Sequence, residues 1–236
     1  MVAELVATMR SDLSTFGPLP DILGAGMGRI PGTAFFPGGD GLVHPRTSAR
    51  IPDILVIGHD FGTLAYLDAC IVAGEERLSQ PTWRGILSRL DAAEIDPQSC
   101  LFTNAFVGYR KTGGNTDDFP ARADGEYECR CRAFLARQID LLRPKAIIAL
   151  GKHVPSFLAA LSADLPWSTT RTFAQIDRVG PLVCRARFGD HRASVCALVH
   201  PSFAHLNVGR RRCRDRNGAE LVGVEAELAM LRDVTA

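Results

Sequence analysis

Three polar residues of different chemistry each follow a short run of apolar residues: Asp60, Asn104 and His200. A carboxylate can orient a water molecule, and a carboxamide presents a hydrogen-bond donor beside an acceptor. An imidazole exchanges protons near neutral pH. If the fold brings the three groups together, they are suited to acid–base chemistry on a bound ligand.

Each of these residues also has a purely structural explanation. Asp60 could cap the helix that follows it, and Asn104 could tie a turn through its side chain. The segment His200-Pro201-Ser202 could be extended, with its serine capping a short helix. Their common position at the ends of predicted strands is what favours a functional site.

The elements that would position these residues alternate between strand and helix patterns. Strands are expected at residues 53–58, 100–106, 145–151 and 193–199, with an extra strand or hairpin arm at 182–189. Helices are expected at residues 1–16, 63–74, 81–95, 124–143, 153–163 and about 219–232.

Such alternation predicts an α/β fold, a three-layer α/β/α sandwich with a central four-stranded parallel sheet. Sheets of this kind bind ligands beyond the carboxyl ends of their strands. Asp60, Asn104 and His200 all fall at that edge.

The length of 236 residues favours one domain spanning residues 1–236. A composition of 46% hydrophobic and 22% charged residues is typical of globular chains, and it excludes wholesale disorder, collagen and coiled coil. Residues 17–52 are irregular and rich in glycine and proline. This segment is interpreted as an ordered surface loop that wraps the domain or lines a cleft.

The chain shows no signal for a membrane or a metal. No apolar run reaches the roughly 18 residues of a membrane helix, and the N-terminus lacks the apolar core of a signal peptide. The seven cysteines contain no Cys-x-x-Cys pair and are interpreted as free, buried thiols. A cytoplasmic monomer without metal or cofactor is expected.

The net charge of +1 hides an asymmetry between the two halves of the chain. Residues 1–118 carry 9 basic and 14 acidic side chains, whereas residues 119–236 carry 18 and 12. The densest basic cluster lies within residues 209–218 and contains Arg210, Arg211, Arg212, Arg214 and Arg216. It could neutralise phosphates or form a solvated face.

Four segments taken in order resemble the uracil-DNA glycosylase superfamily: VIGHDFGT, LFTNAF, IIALG and VHPSFAHLN. Their order and spacing match over roughly residues 50–210. The iron–sulfur cysteine pattern of some members is missing, so the resemblance is to a divergent branch without that cluster.

The resemblance implies roles for residues at the strand ends. Asp60 takes the place of the acid that orients or activates water, and Asn104 that of the asparagine that reads the edge of a pyrimidine. His200 corresponds to the histidine that hydrogen-bonds the base oxygen and supports the departing anion. Gly58 would let the backbone approach the sugar-phosphate.

The resemblance also implies a contact with DNA. Residues from Ser202 and Phe203 to Leu206 would enter the minor groove and hold the gap left by a flipped base. The arginines Arg210, Arg211 and Arg212 would then follow onto the phosphates.

The chain departs from the family's pattern beside the acid. Phe61 replaces a proline, and Gly62 replaces the tyrosine with which many members reject thymine. The wedge leucine expected two residues after the His-Pro-Ser motif falls on Ala204. Either Phe61 or Trp83 could supply the ring that stacks on the base, although Trp83 could equally pack in the core.

Three functions remain open from the sequence. The first is a DNA glycosylase that cleaves the N-glycosidic bond of uracil or another deaminated base during base excision repair. The second is a catalytically inactive nucleic-acid-binding protein of the same fold. The third is an α/β domain acting on a free nucleoside or another small metabolite.

Overall fold

A computed structural model of the chain describes residues 2–24, 28, 30–45, 47, 50–114, 119–215 and 217–236. The described strands are β1 (Leu23–Gly24), β2 (Ile54–Gly58), β3 (Cys100–Asn104), β4 (Tyr109–Arg110), β5 (Ala146–Leu150), β6 (Leu182–Phe188), β7 (His191–Leu198), β8 (Arg212–Arg214) and β9 (Glu220–Val222). The described helices are α1 (Val2–Ser14), α2 (Leu64–Ala73), α3 (Pro81–Ala92), α4 (Gly125–Leu142), α5 (Val154–Leu158), α6 (Phe173–Val179), α7 (Ala204–Asn207) and α8 (Val224–Thr235), with 3-10 turns at Pro97–Ser99, Pro120–Ala123, Pro201–Phe203 and Val208–Arg210.

The central sheet has the order β3-β2-β5-β7-β6. The first four strands are parallel, and β6 joins the edge as the antiparallel arm of a hairpin with β7. The predicted α/β fold with four parallel strands is therefore confirmed, and the expected hairpin arm adds a fifth strand. The carboxyl ends of the four parallel strands meet at one edge, which we call the carboxyl edge.

Helices cover both faces of the sheet, which explains why its parallel strands are apolar on both sides. In β2, Leu55 and Ile57 pack toward α1, α4, α5 and α6. Ile54 and Val56 pack toward α2, α3 and α8 on the opposite face. No helix in the described part of the chain is long and apolar enough to cross a membrane.

Several local structures lie outside the sequence-based expectations, among them β1, β4, β8 and α7. Helix α6 was not predicted, although Thr172 and Gln175 form a capping box that marks its start. Helix α8 begins at Val224, later than expected, because residues 220–222 pair with β8.

The glycine- and proline-rich segment is buried over much of its length, so the expectation of a surface loop is wrong there. Phe36 N–H donates to Phe102 O at 2.9 Å, and Phe102 N–H donates to Gly41 O at 2.7 Å. Residues 30–43 thus lie along the outer side of β3 and bury Ile30, Phe35 and Phe36. Residues 25–27, 29, 46, 48 and 49 of this segment lie outside the described residues.

Candidate active site

Asp60 lies in the turn after β2, and protein donors occupy its carboxylate completely. Oδ1 accepts from Gly62 N–H at 3.0 Å and from Arg110 Nε at 3.1 Å. Oδ2 bonds His59 Nδ1 at 2.8 Å and accepts from Arg110 Nη2 at 2.9 Å. Because a carboxylate offers about four acceptor positions, none is left for water in this arrangement.

This environment fixes the charge of Asp60. Burial by itself would raise its pKa, but hydrogen bonds and charge from His59 and Arg110 hold that pKa well below its ordinary value. The carboxylate is therefore ionised throughout the physiological range. The role implied for Asp60, holding water directly, stays a prediction and would require one of the present donors to move away.

Two residues beside Asp60 shape the turn. Gly62 has a φ of +102°, a conformation that side-chain-bearing residues rarely adopt, which accounts for glycine where tyrosine was expected. Thr63 caps α2, since its side chain accepts from Tyr66 N–H. Asp60 is therefore not the helix cap that its position also allowed.

His59 was not singled out from the sequence, yet it connects Asp60 to a cavity. Its Nδ1 bonds the carboxylate, whereas its buried Nε2 has no hydrogen-bond partner among the residues that the structure describes. The ring packs edge-on to Phe106 and Phe119, and its centroid lies 5.2 Å from that of His153. A histidine directly before an acid at a strand end was the signal available in the sequence.

The cavity beside His59 has a volume of about 200 Å³ and lies beyond the ends of β2, β3 and β5. Basic side chains outnumber acidic ones in its wall. Its lining residues are His59, Phe106, Arg122, Glu128, Arg132, His153, Ser156, Phe157, Ser168 and Arg171.

Asn104 ends β3 next to Gly58, as the sequence predicts for two residues of one site. The strands pair these residues in register, and the Asn104 amide donates to Phe36 O at 3.4 Å. A Cβ atom at Gly58 would overlap Asn104 Oδ1. The glycine thus makes room for the carboxamide, which explains its presence without any ligand.

His200 follows β7 at the same edge. Its pKa falls to about 4, mainly because the ring is desolvated; the neighbouring His59 lowers this pKa further, and Asp60 partly offsets the fall. The ring is therefore neutral at pH 7. Its Nδ1 accepts from Ser202 N–H at 3.4 Å, so the proton of the neutral ring lies on Nε2.

The carboxyl edge therefore holds Asp60, Asn104 and His200, each at the end of a different parallel strand. The end of β5 lies between the end of β2, which carries Asp60, and the end of β7, which carries His200. A Cβ atom on Gly151, directly after β5, would lie 3.4 Å from His200 Cβ. Within the described residues, no group of three or more His, Cys, Asp or Glu side chains is arranged to hold a metal ion.

Neither aromatic residue proposed to stack on a base is open to a ligand. Phe61 is buried against Tyr66 and fills the space beside Gly38, where even a Cβ atom would overlap its ring. The prediction that Phe61 binds the base is therefore wrong for this structure. Trp83 is fully buried beside Phe35, in line with its alternative interpretation as a core residue.

The His-Pro-Ser loop presents an exposed apolar tip. The hydroxyls of Ser202 and Thr82 lie 2.8 Å apart and join the loop to α3. Phe203 is half-buried near the His200 ring, with 5.9 Å between the ring centroids. Leu206, on α7, is 61% exposed and is the residue of the loop best placed to reach outward.

The arginine cluster does not act as one surface. Arg210, Arg212 and Arg214 are exposed, and Arg216 lies outside the described residues. Arg211 is fully buried and pairs with Asp177 at 2.8 Å and Glu227 at 2.9 Å. The prediction that Arg211 contacts DNA is therefore wrong, because its guanidinium already neutralises two carboxylates inside the protein.

The family comparison agrees with this fold and site. The model of the uracil DNA glycosylase superfamily matches residues 52–220, which include β2, β3, β5, β7 and the His-Pro-Ser loop. The chain belongs to this superfamily, and membership supports a glycosylase-type hydrolase at the level of the family. A search of curated proteins found no match.

Proposed function

We propose that this chain hydrolyses the N-glycosidic bond of uracil or another deaminated base in DNA. The observation that carries the proposal is His200, a neutral imidazole whose bonded Nδ1 leaves Nε2 as a donor at the carboxyl edge. Asn104 and the ionised Asp60 end neighbouring strands of the same edge. The monomeric state and the cytoplasmic location stay predictions from the sequence.

The chemistry needs groups of these types. Breaking the bond leaves positive charge on the sugar and negative charge on the base. The Nε2–H of His200 can donate to a carbonyl oxygen of the departing base. Asp60 supplies a fixed negative charge that favours the cationic sugar, and the Asn104 carboxamide can read a donor and an acceptor on the base edge.

The surface beside the site supports DNA as the substrate. Leu206 stands exposed after the His-Pro-Ser motif, where an apolar side chain could hold the gap left by a flipped base. Arg210 and Arg212 are exposed a few residues further on and could neutralise phosphates. Flipping costs a few kcal/mol, so mispaired uracil is an easier target than a sound pair.

The direct test is excision of uracil from oligonucleotides, single-stranded or with the uracil paired to guanine or adenine. Abasic sites are revealed by alkaline strand cleavage. We expect cleavage by the unaltered chain and about a 100-fold slower reaction in His200→Ala, because one donor to the departing anion is lost. His191→Ala is the matched control, since His191 begins β7 at the opposite edge.

The carboxylate of Asp60, whose acceptor positions are all occupied by protein donors, favours a second candidate function, a nucleic-acid-binding protein without turnover. That function would give DNA binding that weakens steeply with salt, but no abasic sites. A small-metabolite enzyme would show no DNA binding even at low salt. The two measurements together separate all three functions.

A further inference from the structure

We propose that His59 takes the proton from the attacking water, with Asp60 and Arg110 as positioning residues. This inference rests on the proposed glycosylase function and assigns the general base of that reaction, the group that takes a proton from water. The juxtaposition that carries it is an imidazole that bonds a fixed carboxylate through Nδ1 and also lines a cavity.

Asp60 has no acceptor position left for a water molecule, whereas His59 has one. All acceptor positions of Asp60 are taken by His59, Gly62 and Arg110. When neutral His59 donates its Nδ1–H to Asp60, Nε2 carries no proton, and its lone pair can accept one. That buried atom lacks a partner among the described residues, and its ring lines the cavity.

Arg110 and Asp60 together fix the orientation of the His59 ring. Arg110 is 2% exposed and holds Asp60 through Nε and Nη2, which fixes both oxygens of the carboxylate. A carboxylate held in this way selects one tautomer of the attached imidazole and stabilises the imidazolium that forms when Nε2 takes a proton. His59 and Asp60 thus form a dyad in which the histidine is the member that lines the cavity.

Charged and titratable groups from several elements surround His59. The titratable and charged groups that face it are Asp60 in its own turn, Arg110 in β4, Arg122 in the turn at Pro120–Ala123, Glu128 and Arg132 in α4, His153 before α5, Arg171 before α6, and His200 after β7. Glu128 is already paired with Arg132 at 2.8 Å. Asp60 is therefore the carboxylate among these groups that bonds the His59 ring directly.

The proton and electron balance of the reaction is complete without another reactant. Water gives one proton to Nε2 of His59 while its oxygen forms a bond to C1′ of the deoxyribose. The bond from C1′ to the base nitrogen breaks, and its electron pair leaves with the base. The base anion accepts a hydrogen bond from His200 and is then protonated from solvent, and the imidazolium of His59 returns its proton to solvent.

The experiment measures the single-turnover rate of base release from a uracil-containing oligonucleotide at saturating protein. In His59→Asn, the side-chain amide can still donate to Asp60, but the nitrogen proposed to take the proton from water, Nε2, is lost. We expect this rate to fall about 100-fold or more with DNA affinity within a few-fold of the unaltered chain. His191→Asn, the same change at the opposite edge, should leave the rate unchanged.

Two further readouts separate a base from a merely structural residue. The rate of the unaltered chain should fall as pH is lowered through the range in which an imidazole takes up a proton, and this dependence should vanish in His59→Asn. Added imidazole should restore part of the rate of His59→Ala, because the cavity leaves room beside the missing ring.

The outcomes distinguish the two proposals. Cleavage by His59→Asn at the full rate, or an unchanged pH profile, would overturn the role of His59 and leave the glycosylase function standing. Absence of abasic sites with the unaltered chain on every oligonucleotide would overturn both proposals. A slow His59→Asn whose rate keeps the pH profile of the unaltered chain would make His59 structural.

Discussion

In the described part of the chain, the two buried arginines Arg110 and Arg211 form ion pairs, and the Arg110 pair leads to a candidate active site. Arg110 holds Asp60 at 2.9 Å, and Arg211 holds Asp177 at 2.8 Å and Glu227 at 2.9 Å. Both guanidiniums are almost completely shielded from solvent. By burial and pairing alone, the two centres could not be told apart.

The difference lies in what the carboxylates touch next. On the Arg211 side, Asp177 accepts from the backbone N–H of Arg212, and Glu227 accepts from that of Val199. These bonds tie α6, α8 and the end of β7 together. On the Arg110 side, Asp60 bonds a histidine that lines a cavity and whose second nitrogen has no hydrogen-bond partner among the described residues. The ion pair that indicates function is the one that continues to such a histidine.

The largest expected effect is at the Arg211 ion pairs. Arg211→Met should lower the free energy of unfolding by about 3–5 kcal/mol, because Asp177 would be left buried without its cation and Glu227 would keep only Arg89, at 3.1 Å. Urea denaturation measures this loss, and Arg210→Met, at an exposed neighbour, should change stability by less than about 0.5 kcal/mol. A loss below 1 kcal/mol in Arg211→Met would show that the pair is dispensable.

At the ion pair of Arg110 and Asp60, the dominant effect should be on catalysis. Asp60→Asn removes the charge that orients His59 and should lower the single-turnover rate by about 100-fold or more, with DNA affinity within a few-fold. It also leaves Arg110 without its counter-charge, so the rate is compared at a temperature where denaturation curves show the variant folded. Full activity in folded Asp60→Asn would remove the distinction between the two centres.

Acid should lower the stability of the folded protein through His200, which lies at the same edge of the sheet as Asp60. Its pKa is about 4 in the folded protein against an ordinary value of 6.5, so the unfolded chain binds the proton first. The stability that the neutral ring contributes is present above about pH 6.5 and is lost as pH falls toward 4. The loss is at most about 3 kcal/mol.

Denaturation of the unaltered chain and His200→Gln between pH 7 and pH 4 measures this effect. The difference in stability between them should narrow or reverse as the pH falls. His191→Gln is the control, because His191 lies at the opposite edge and bonds Pro144 O. If the stabilities of His200→Gln and the unaltered chain changed in parallel with pH, the lowered pKa of His200 would be contradicted.

Much of this arrangement was predictable because it depends on local patterns. Continuous apolar runs placed β2, β3, β5 and β7, and a parallel sheet necessarily brings their ends to one edge. That reasoning placed Asp60, Asn104 and His200 correctly relative to the sheet.

What the sequence could not provide were the partners of side chains distant in the chain. Arg110 lies 50 residues from Asp60, and nothing in its local sequence marks it as the cation that saturates the acid. Arg211 looks like its exposed neighbours in sequence, yet the turn before β8 directs it inward. Phe61 is buried because residues of the distant segment 30–43 cover it, including Gly38.

The smallest expected effect tests whether the exposed arginines beside Arg211 serve DNA. Arg210→Gln and Arg212→Gln should each reduce the slope of log affinity against log salt by up to about one unit, similarly for every DNA sequence. The Arg212 effect should be the smaller, since its Nε already lies 3.4 Å from Glu220. Lys145→Gln, an exposed cation at the opposite edge of the sheet, should leave the slope unchanged. A slope that stays the same in the double arginine variant would make the cluster a solvated face and leave only the His-Pro-Ser loop to contact the nucleic acid.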